Sequence, residues 1–184
     1  MMQELSLHIM DIVQNSISAN ATLIEVEIAE DTVSDAMTIS ITDNGKGMDK
    51  DFLQTVTDPF STSRTTRRVG LGIPMFKMAA QLAGGDLTID SELGVGTAMK
   101  VWFVHSHIDR QPLGDMAETL FLLVQSNPDI DFLYTHTFNE NEFVFDTREI
   151  KKVLDGVPLN TPDVVLWIKE YINEGIQNLY GGAI

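Results

Sequence analysis

Asp11 and Asn15 stand four residues apart in a stretch with helical periodicity, so on a helix they project from one face, one turn above the other. A carboxylate stacked over an amide oxygen can organise a water and a hard cation, and the same pair also fits the solvent side of an amphipathic helix. Asp43 opens the run Asp43-Asn44-Gly45-Lys46-Gly47. An aspartate at a strand end can accept a hydrogen bond from an exocyclic amine while neighbouring glycines let a flat base approach the backbone. Asp-Asn-Gly is equally ordinary hairpin chemistry. Farther on, Val69-Gly70-Leu71-Gly72 leads through Ile73 to Pro74 at a helix-opening position. Such a loop offers free backbone N–H groups and the positive end of a helix dipole, which together attract phosphate. Arg64, Arg67, Arg68 and Lys77 place four of the chain's 12 basic residues around it. An anionic ligand fits this island better than a solvated loop.

The elements that must position these residues follow from hydrophobic period. Gln3 to Ala19 reads as a helix with Leu5, Ile9, Ile12 and Ser16 on one line and Leu7, Met10, Val13 and Ile17 beside it. Ile24, Val26 and Ile28, then Met37, Ile39 and Ile41, alternate with polar residues and predict two antiparallel strands separated by Glu30 to Asp35. Thr57 to Val69 has no apolar period and reads as a long mobile loop. Met75 to Ala83 continues as a helix closed by Gly84-Gly85, and Leu87 to Val104 forms a hairpin turning at Gly94-Val95-Gly96. Beyond His105, the pattern predicts a helix over Pro112 to Gln125 and a hairpin around Asn139-Glu140-Asn141. A last helix over Thr161 to Leu179 has Thr161 as its N-cap and Pro162 in its first turn. Residues 1–105 and 106–184 are expected as two units, the second an extension packed on the first.

Composition narrows the function classes. In 184 residues, 27 Asp and Glu against 12 Lys and Arg leave a net charge of -15, a field that repels nucleic acid backbones. There is no cysteine, which removes disulfide frameworks and thiolate metal sites and suits a reducing compartment. The longest aliphatic or aromatic run, Leu120 to Val124, is far too short for a membrane span. A soluble, cytoplasmic protein is expected, with no nucleic acid and no membrane among its partners. His105-Ser106-His107-Ile108-Asp109 mimics a His-x-His-x-Asp metal site, but with only His8 and His136 besides, a two-metal centre would be underfilled. Trp102, Phe103, Phe121, Val124, Phe132 and Tyr134 read as core or packing residues rather than a cofactor box.

Five segments occur in a telling order. His8 to Ile28 reads HIMDIVQNSISANATLIEVEI, Asp43 to Met48 DNGKGM, Asp58 to Arg64 DPFSTSR, Val69 to Ile73 VGLGI, and Gly94 to Thr97 GVGT. In this sequence and at this spacing they resemble the N box, first glycine box, F box, second glycine box and Gly-Thr element of the GHKL ATPase superfamily. That superfamily groups gyrase-type and mismatch-repair ATPases, large heat-shock chaperones, and histidine kinases with their anti-sigma-factor kinase relatives. The resemblance runs from about Leu5 to Phe103. It implies an α+β fold, a two-layer α/β sandwich of the Bergerat type, here followed by a C-terminal α/β extension.

The resemblance also implies roles. Asn15 would coordinate Mg²⁺ bridging the phosphates of ATP, Asp43 would take the adenine amino group, and Thr97 would support Asp43, directly or through a water. Gly45, Gly47 and Met48 would line the base, while Phe60, Arg64, Gly70, Leu71 and Gly72 would belong to the lid and phosphate wrap. Asp11 stands where the family usually has a glutamate that orients the attacking water or accepts its proton. It is one methylene shorter, so ATP binding is implied more firmly than turnover. His8, one turn earlier, either orients Asp11 or packs as an ordinary histidine. A phosphoacceptor helix-hairpin and a transducer lysine domain are not recognisable, so any phosphoryl transfer is expected to go to another protein. The expected ligands are ATP and ADP. The expected function is slow ATP hydrolysis that drives a lid or partner switch; alternatives are a protein kinase for a separate partner and a nonenzymatic ATP-gated module. An unidentified protein, for which a hydrogenase-associated one is a candidate, is the expected partner.

Overall fold

The structure, a computed structural model, describes residues 2–57 and 71–181. Among them the chain order is α1 (Leu5–Ser18), β1 (Leu23–Asp31), β2 (Ala36–Asp43), α2 (Lys50–Thr55), α3 (Gly72–Leu82), β3 (Asp86–Glu92) and β4 (Gly96–Val104). Then come α4 (Met116–Ser126), β5 (Asp131–Phe138), β6 (Asn141–Asp146), α5 (Thr147–Leu154) and α6 (Pro162–Leu179). The strands form one sheet in the order β3-β4-β2-β1-β5-β6, antiparallel except where β1 runs parallel to β5.

Period-2 alternation explains why one face of this sheet is covered. Val26 and Ile28 of β1, on the same face as Ile24, lie opposite Ile41 and Ile39 of β2, and Met37, Ile39 and Ile41 in turn lie opposite Phe103, Val101 and Met99 of β4. All nine are buried, while Glu27, Lys100 and Trp102 on the alternate positions are exposed. The helices supply the second layer: α1 touches β2, α3 and α4, α3 lies against β3 and β4, and α6 joins α4 to β5 and β6. Leu5, Ile9, Ile12, Val13 and Ser16 form the buried stripe of α1, as the spacing predicts. Leu7 departs from it and is exposed, because it lies off the face that meets the sheet. The architecture is the expected α+β sandwich.

The segment after β4 departs from expectation. Pro112 to Asp115 is not helical; it passes beside the start of α1, where Leu5 N–H donates to Pro112 O (2.9 Å) and Ser6 N–H to Leu113 O (2.8 Å). Those bonds satisfy two of the first-turn donors of α1, which has no side-chain cap of its own. Gly114 takes φ +83 and Asp115 caps α4 by accepting from Glu118 N, so that helix starts four residues later than Pro112. Thr161 occupies the N-cap position of α6 without a side-chain bond, and Pro162 fills the first helical position. Two short helices, α2 and α5, lie outside the expected elements, although Ile150, Val153 and Leu154 give α5 a helical apolar spacing.

The boundary at residue 105 falls in the turn after β4, and the sheet continues beyond it through β5. A buried polar cluster ties the two sides. Glu30, 7% exposed near the end of β1, receives His136 Nε2 (2.9 Å) and Tyr180 Oη on one oxygen and His105 Nε2 (2.9 Å) on the other. With the carboxylate ionised, both imidazoles donate; His136 then accepts at Nδ1 from the Tyr134 hydroxyl (2.8 Å). Burial pushes the Glu30 carboxyl up, and the hydrogen bonds from His136, Tyr180 and His105 outweigh it, bringing the pKa down to about 2. Burial pushes the Tyr134 phenol up.

Candidate nucleotide site

A cleft opens at the end of the sheet where β2 stops, between the C-terminal half of α1 and the loop leading to α2. Its walls include Ile12, Asn15, Ser16 and Ser18 from α1 with Ala19 just after it, Ile41 and Asp43 from β2, and Lys46, Gly47 and Met48 from the loop. Phe52, Ile73, Thr97 and Met99 complete it. The lining is thus an apolar slot with a few polar groups at one end, the usual make-up of a site for a flat ligand.

Asp43 is held on both oxygens. Ser16 Oγ donates to Oδ2 (2.6 Å) and the Gly45 N–H donates to Oδ1 (2.8 Å). Each oxygen keeps a lone pair for a further donor. Thr97 lies directly across from Asp43 in the β2–β4 register, and its hydroxyl bonds Ser91 Oγ (2.9 Å) rather than the carboxylate. Direct support of Asp43 therefore comes from Ser16, a residue that the sequence reading placed only on the apolar line of α1.

The loop after Asp43 is fastened at several points. Asn44 Oδ1 accepts from the N–H groups of Thr22 (2.9 Å) and Leu23 (3.0 Å), which gives this residue a structural task. Lys46 N–H reaches Ala19 O (2.9 Å), Gly94 N–H reaches Lys46 O (2.7 Å) and Met48 N–H reaches Ser91 Oγ (2.9 Å). Gly47 sits at φ +66, and a Cβ there would lie 2.0 Å from Glu92 O, so no side chain is tolerated. A Cβ on Gly45 would stand 2.9 Å from Ala19 O. Both glycines are required by close backbone approach to protein, and Gly47 also lines the cleft.

Asp11 is on the same face of α1 as Asn15 but lies against Gly72: a Cβ on Gly72 would be 3.3 Å from Asp11 Oδ2. Its carboxylate is thus beside the N-terminus of α3, which has no side-chain cap from Leu71 and no acid in its own first turn. Asp11, Gly45, Leu71 and Gly72 are not part of the cleft lining, whereas Asn15, Asp43, Gly47, Met48 and Thr97 are. Phe60, Arg64 and Gly70 lie outside the described residues, as does nearly all of the expected long loop.

His8 is packed rather than poised. Its ring stacks on Phe76 (centroids 4.9 Å apart), Nε2 bonds Gln111 Oε1 (3.1 Å), and the buried Nδ1 has no hydrogen-bond partner among the described residues. Burial lowers its pKa, against smaller upward pulls from the Gln111 hydrogen bond and the Asp11 charge. Among the described residues no group of three His, Asp or Glu is placed to hold a metal; His105 is engaged by Glu30, and His107 accepts from Asp109 N–H (3.1 Å). No helix among them is long and apolar enough to cross a membrane.

Residues 3–107 match the sequence profile of the histidine kinase-, DNA gyrase B- and HSP90-like ATPases, more than half of the chain. The chain belongs to that family. Membership implies ATP binding. The chain is 32% identical over 109 residues to a putative sensor protein of Shewanella frigidimarina, covering 58% of this chain and 17% of that protein. It is 29% identical over 98 residues to the non-motile and phage-resistance protein of Caulobacter vibrioides (50% and 12%). It is 26% identical over 96 residues to the sensor histidine kinase YvrG of Bacillus subtilis (48% and 16%). The chain thus matches less than a fifth of the length of each of these relatives. A crystal structure of the N-terminal domain of a DNA repair protein shares the fold, with TM-score 0.53 and 17% identity over 78% of this chain and 52% of that one.

Proposed function

We propose that this protein binds Mg-ATP in the cleft and hydrolyses it slowly, using the nucleotide state to control its contacts with a separate protein. The observation that carries the reading is the Asp43 carboxylate, held by Ser16 and Gly45 at the polar end of an apolar slot. A carboxylate so oriented accepts the exocyclic amine of adenine and offers no donor to the O6 of guanine, which sets the base preference. Ile41, Met99 and Phe52 supply the apolar walls on which the base rests.

The donor chemistry fits magnesium in one respect. Asn15 lines the cleft and would offer its amide oxygen, a hard ligand, to the ion, with phosphate and water oxygens as further ligands. When bound, the ion supplies charge neutralisation of the triphosphate. Asp11, beside the N-terminus of α3, would orient the attacking water and accept its proton as the bond from the terminal phosphorus to the bridging oxygen breaks and ADP leaves. Its short side chain is the reason for slow turnover.

Calorimetry with ATP, ADP and GTP, with and without Mg²⁺, tests the reading. Adenine preference that disappears in Asp43→Asn, and metal enhancement that disappears in Asn15→Ala, are the expected results. GTP bound as tightly as ATP by the unaltered chain would overturn the role of Asp43. Single-turnover hydrolysis should fall in Asp11→Asn while ATP affinity holds.

A second reading is favoured by the names of the relatives, a putative sensor protein and a sensor histidine kinase. In it the phosphoryl group passes to a side chain of a separate partner instead of to water. Labelled phosphate on a protein of a cell extract, absent with Asp43→Asn, would favour this reading over hydrolysis.

A further inference from the structure

Away from the nucleotide cleft, an apolar groove of about 640 Å³ runs between α5 and α6 beside the edge strand β6. Val144, Ile150, Val153, Val164, Trp167 and Tyr171 line it. Several are more exposed than large apolar side chains ordinarily are: Val153 is 84% exposed and Trp167 50%. Trp167 and Tyr171 stack on one another at 5.3 Å, one turn apart on α6, and present a flat aromatic face.

The charges around this face have one sign. Asp163, Trp167, Glu170 and Glu174 follow at steps of three and four along α6, with Tyr171 four residues after Trp167, so the aromatic pair is bracketed by exposed carboxylates on one helix face. The only basic residue of α6, Lys169, is turned to α4, where it pairs with Glu118 and covers the Phe121 ring. The cations of α5 are also engaged: Arg148 with Asp146, Lys151 with Asp131 and Lys152 with Glu149. Asp163, Glu170 and Glu174 form no ion pair among the described residues. A second copy of this chain, itself at net charge -15, is therefore a poor occupant.

We infer that the groove between α5 and α6 is a docking site for a Lys/Arg-bearing amphipathic segment of a partner protein. Its apolar side chains enter the groove over Val144 and Val153, and its cations meet the carboxylates of α6 and the faces of Trp167 and Tyr171. This rests on the groove alone and stands whichever reaction the nucleotide site performs.

The test uses Trp167 as its own reporter. The chain has two tryptophans, so Trp102→Phe leaves Trp167 as the single fluorophore. The probe is a synthetic peptide of leucine and lysine, about 18 residues long, patterned for an amphipathic helix. Controls replace every lysine by glutamate, or every leucine by serine. The expected result is a saturable blue shift of Trp167 emission with the lysine peptide only, weakened about tenfold by Val153→Asp, by the combined Asp163→Lys and Glu170→Lys change, or by raised salt. ATP affinity, measured alongside, should be unchanged in these variants and shows that they fold. No shift, an equal shift with the glutamate peptide, or a shift that accompanies concentration-dependent dimerisation in sedimentation without peptide overturns the proposal.

Discussion

Asp43 and Glu30 are carboxylates near the ends of adjacent antiparallel strands, at opposite ends of one sheet, and their surroundings give them opposite tasks. Glu30 is buried and receives three ring or phenol donors from His136, Tyr180 and His105, which arrive from beyond the last strand of the nucleotide-binding half. Three of its four lone-pair positions are taken by the protein, in a buried setting. Asp43 receives one hydroxyl and one backbone N–H and stands in the wall of an open cleft. Its remaining capacity is left for a ligand. The lesson is that satisfaction, more than residue type or strand position, separates a carboxylate that builds the fold from one that recognises something.

Removing each carboxylate should break the molecule in different ways. Glu30→Ala orphans one buried and two half-buried donors and is expected to cost about 3 kcal/mol of stability, read from urea unfolding, with ATP affinity per folded molecule unchanged. Its pH dependence has a definite sign. The folded pKa of about 2 lies below the ordinary 4.5, so the unfolded state binds more protons between them. The stabilisation is present above about pH 5 and is lost as pH falls through 4.5 toward 2, on the order of 3 kcal/mol in all. Acid unfolding of the Glu30→Gln variant should lack most of that slope; an unaltered slope would remove Glu30 from the account.

Asp43→Asn should leave stability nearly unchanged and weaken ATP by roughly 100-fold, since an amide turned toward the adenine amine offers a donor where an acceptor is needed. Comparable losses of stability and affinity would erase the contrast with Glu30. Ser16→Ala sharpens it: freeing one oxygen of Asp43 should weaken ATP about fivefold, or roughly 1 kcal/mol, by calorimetry, with a smaller loss for Ser16→Thr. The smallest effect belongs to His8. Burial holds its pKa below the ordinary 6.5, so stability drawn from keeping it neutral is present above that value and declines as pH falls through it. His8→Phe should flatten the stability profile between pH 7 and 5 and leave ATP affinity as it was.

Much of the fold is legible in the periodicity of single segments. The stripe Leu5, Ile9, Ile12 needs only a helix with one wet side, and the alternations of β1, β2 and β4 need only a sheet covered on one face. The misses have physical causes. The six residues of α2 are too few to show a period, and its one local signal is the Asp49 side chain accepting from Phe52 N–H. Helix α5 begins directly from β6, with Asp146 as both last strand residue and cap. Pro112 and Leu113 read as helical by composition, yet their carbonyls are taken by the first turn of α1.

The candidate site divides in the same way. Asp43 with its glycines, and Asn15 one turn after Asp11, announce themselves because their chemistry depends on residues that neighbour them in the chain. Ser16 does not, since a serine on an apolar helix line gains its meaning only when β2 brings Asp43 within 2.6 Å across 27 positions. Glu30 reads from the sequence as the first residue of a polar connection. It becomes a buried anchor only because β5 and the end of α6 bring His136 and Tyr180 to it from 106 and 150 residues away. Local pattern determined the helices, the strands and the family's motifs, because backbone period and turn chemistry are short-range. The partners of each carboxylate, and so which one was left open to bind, were decided by strand order and helix packing, which bring together groups that no local pattern relates.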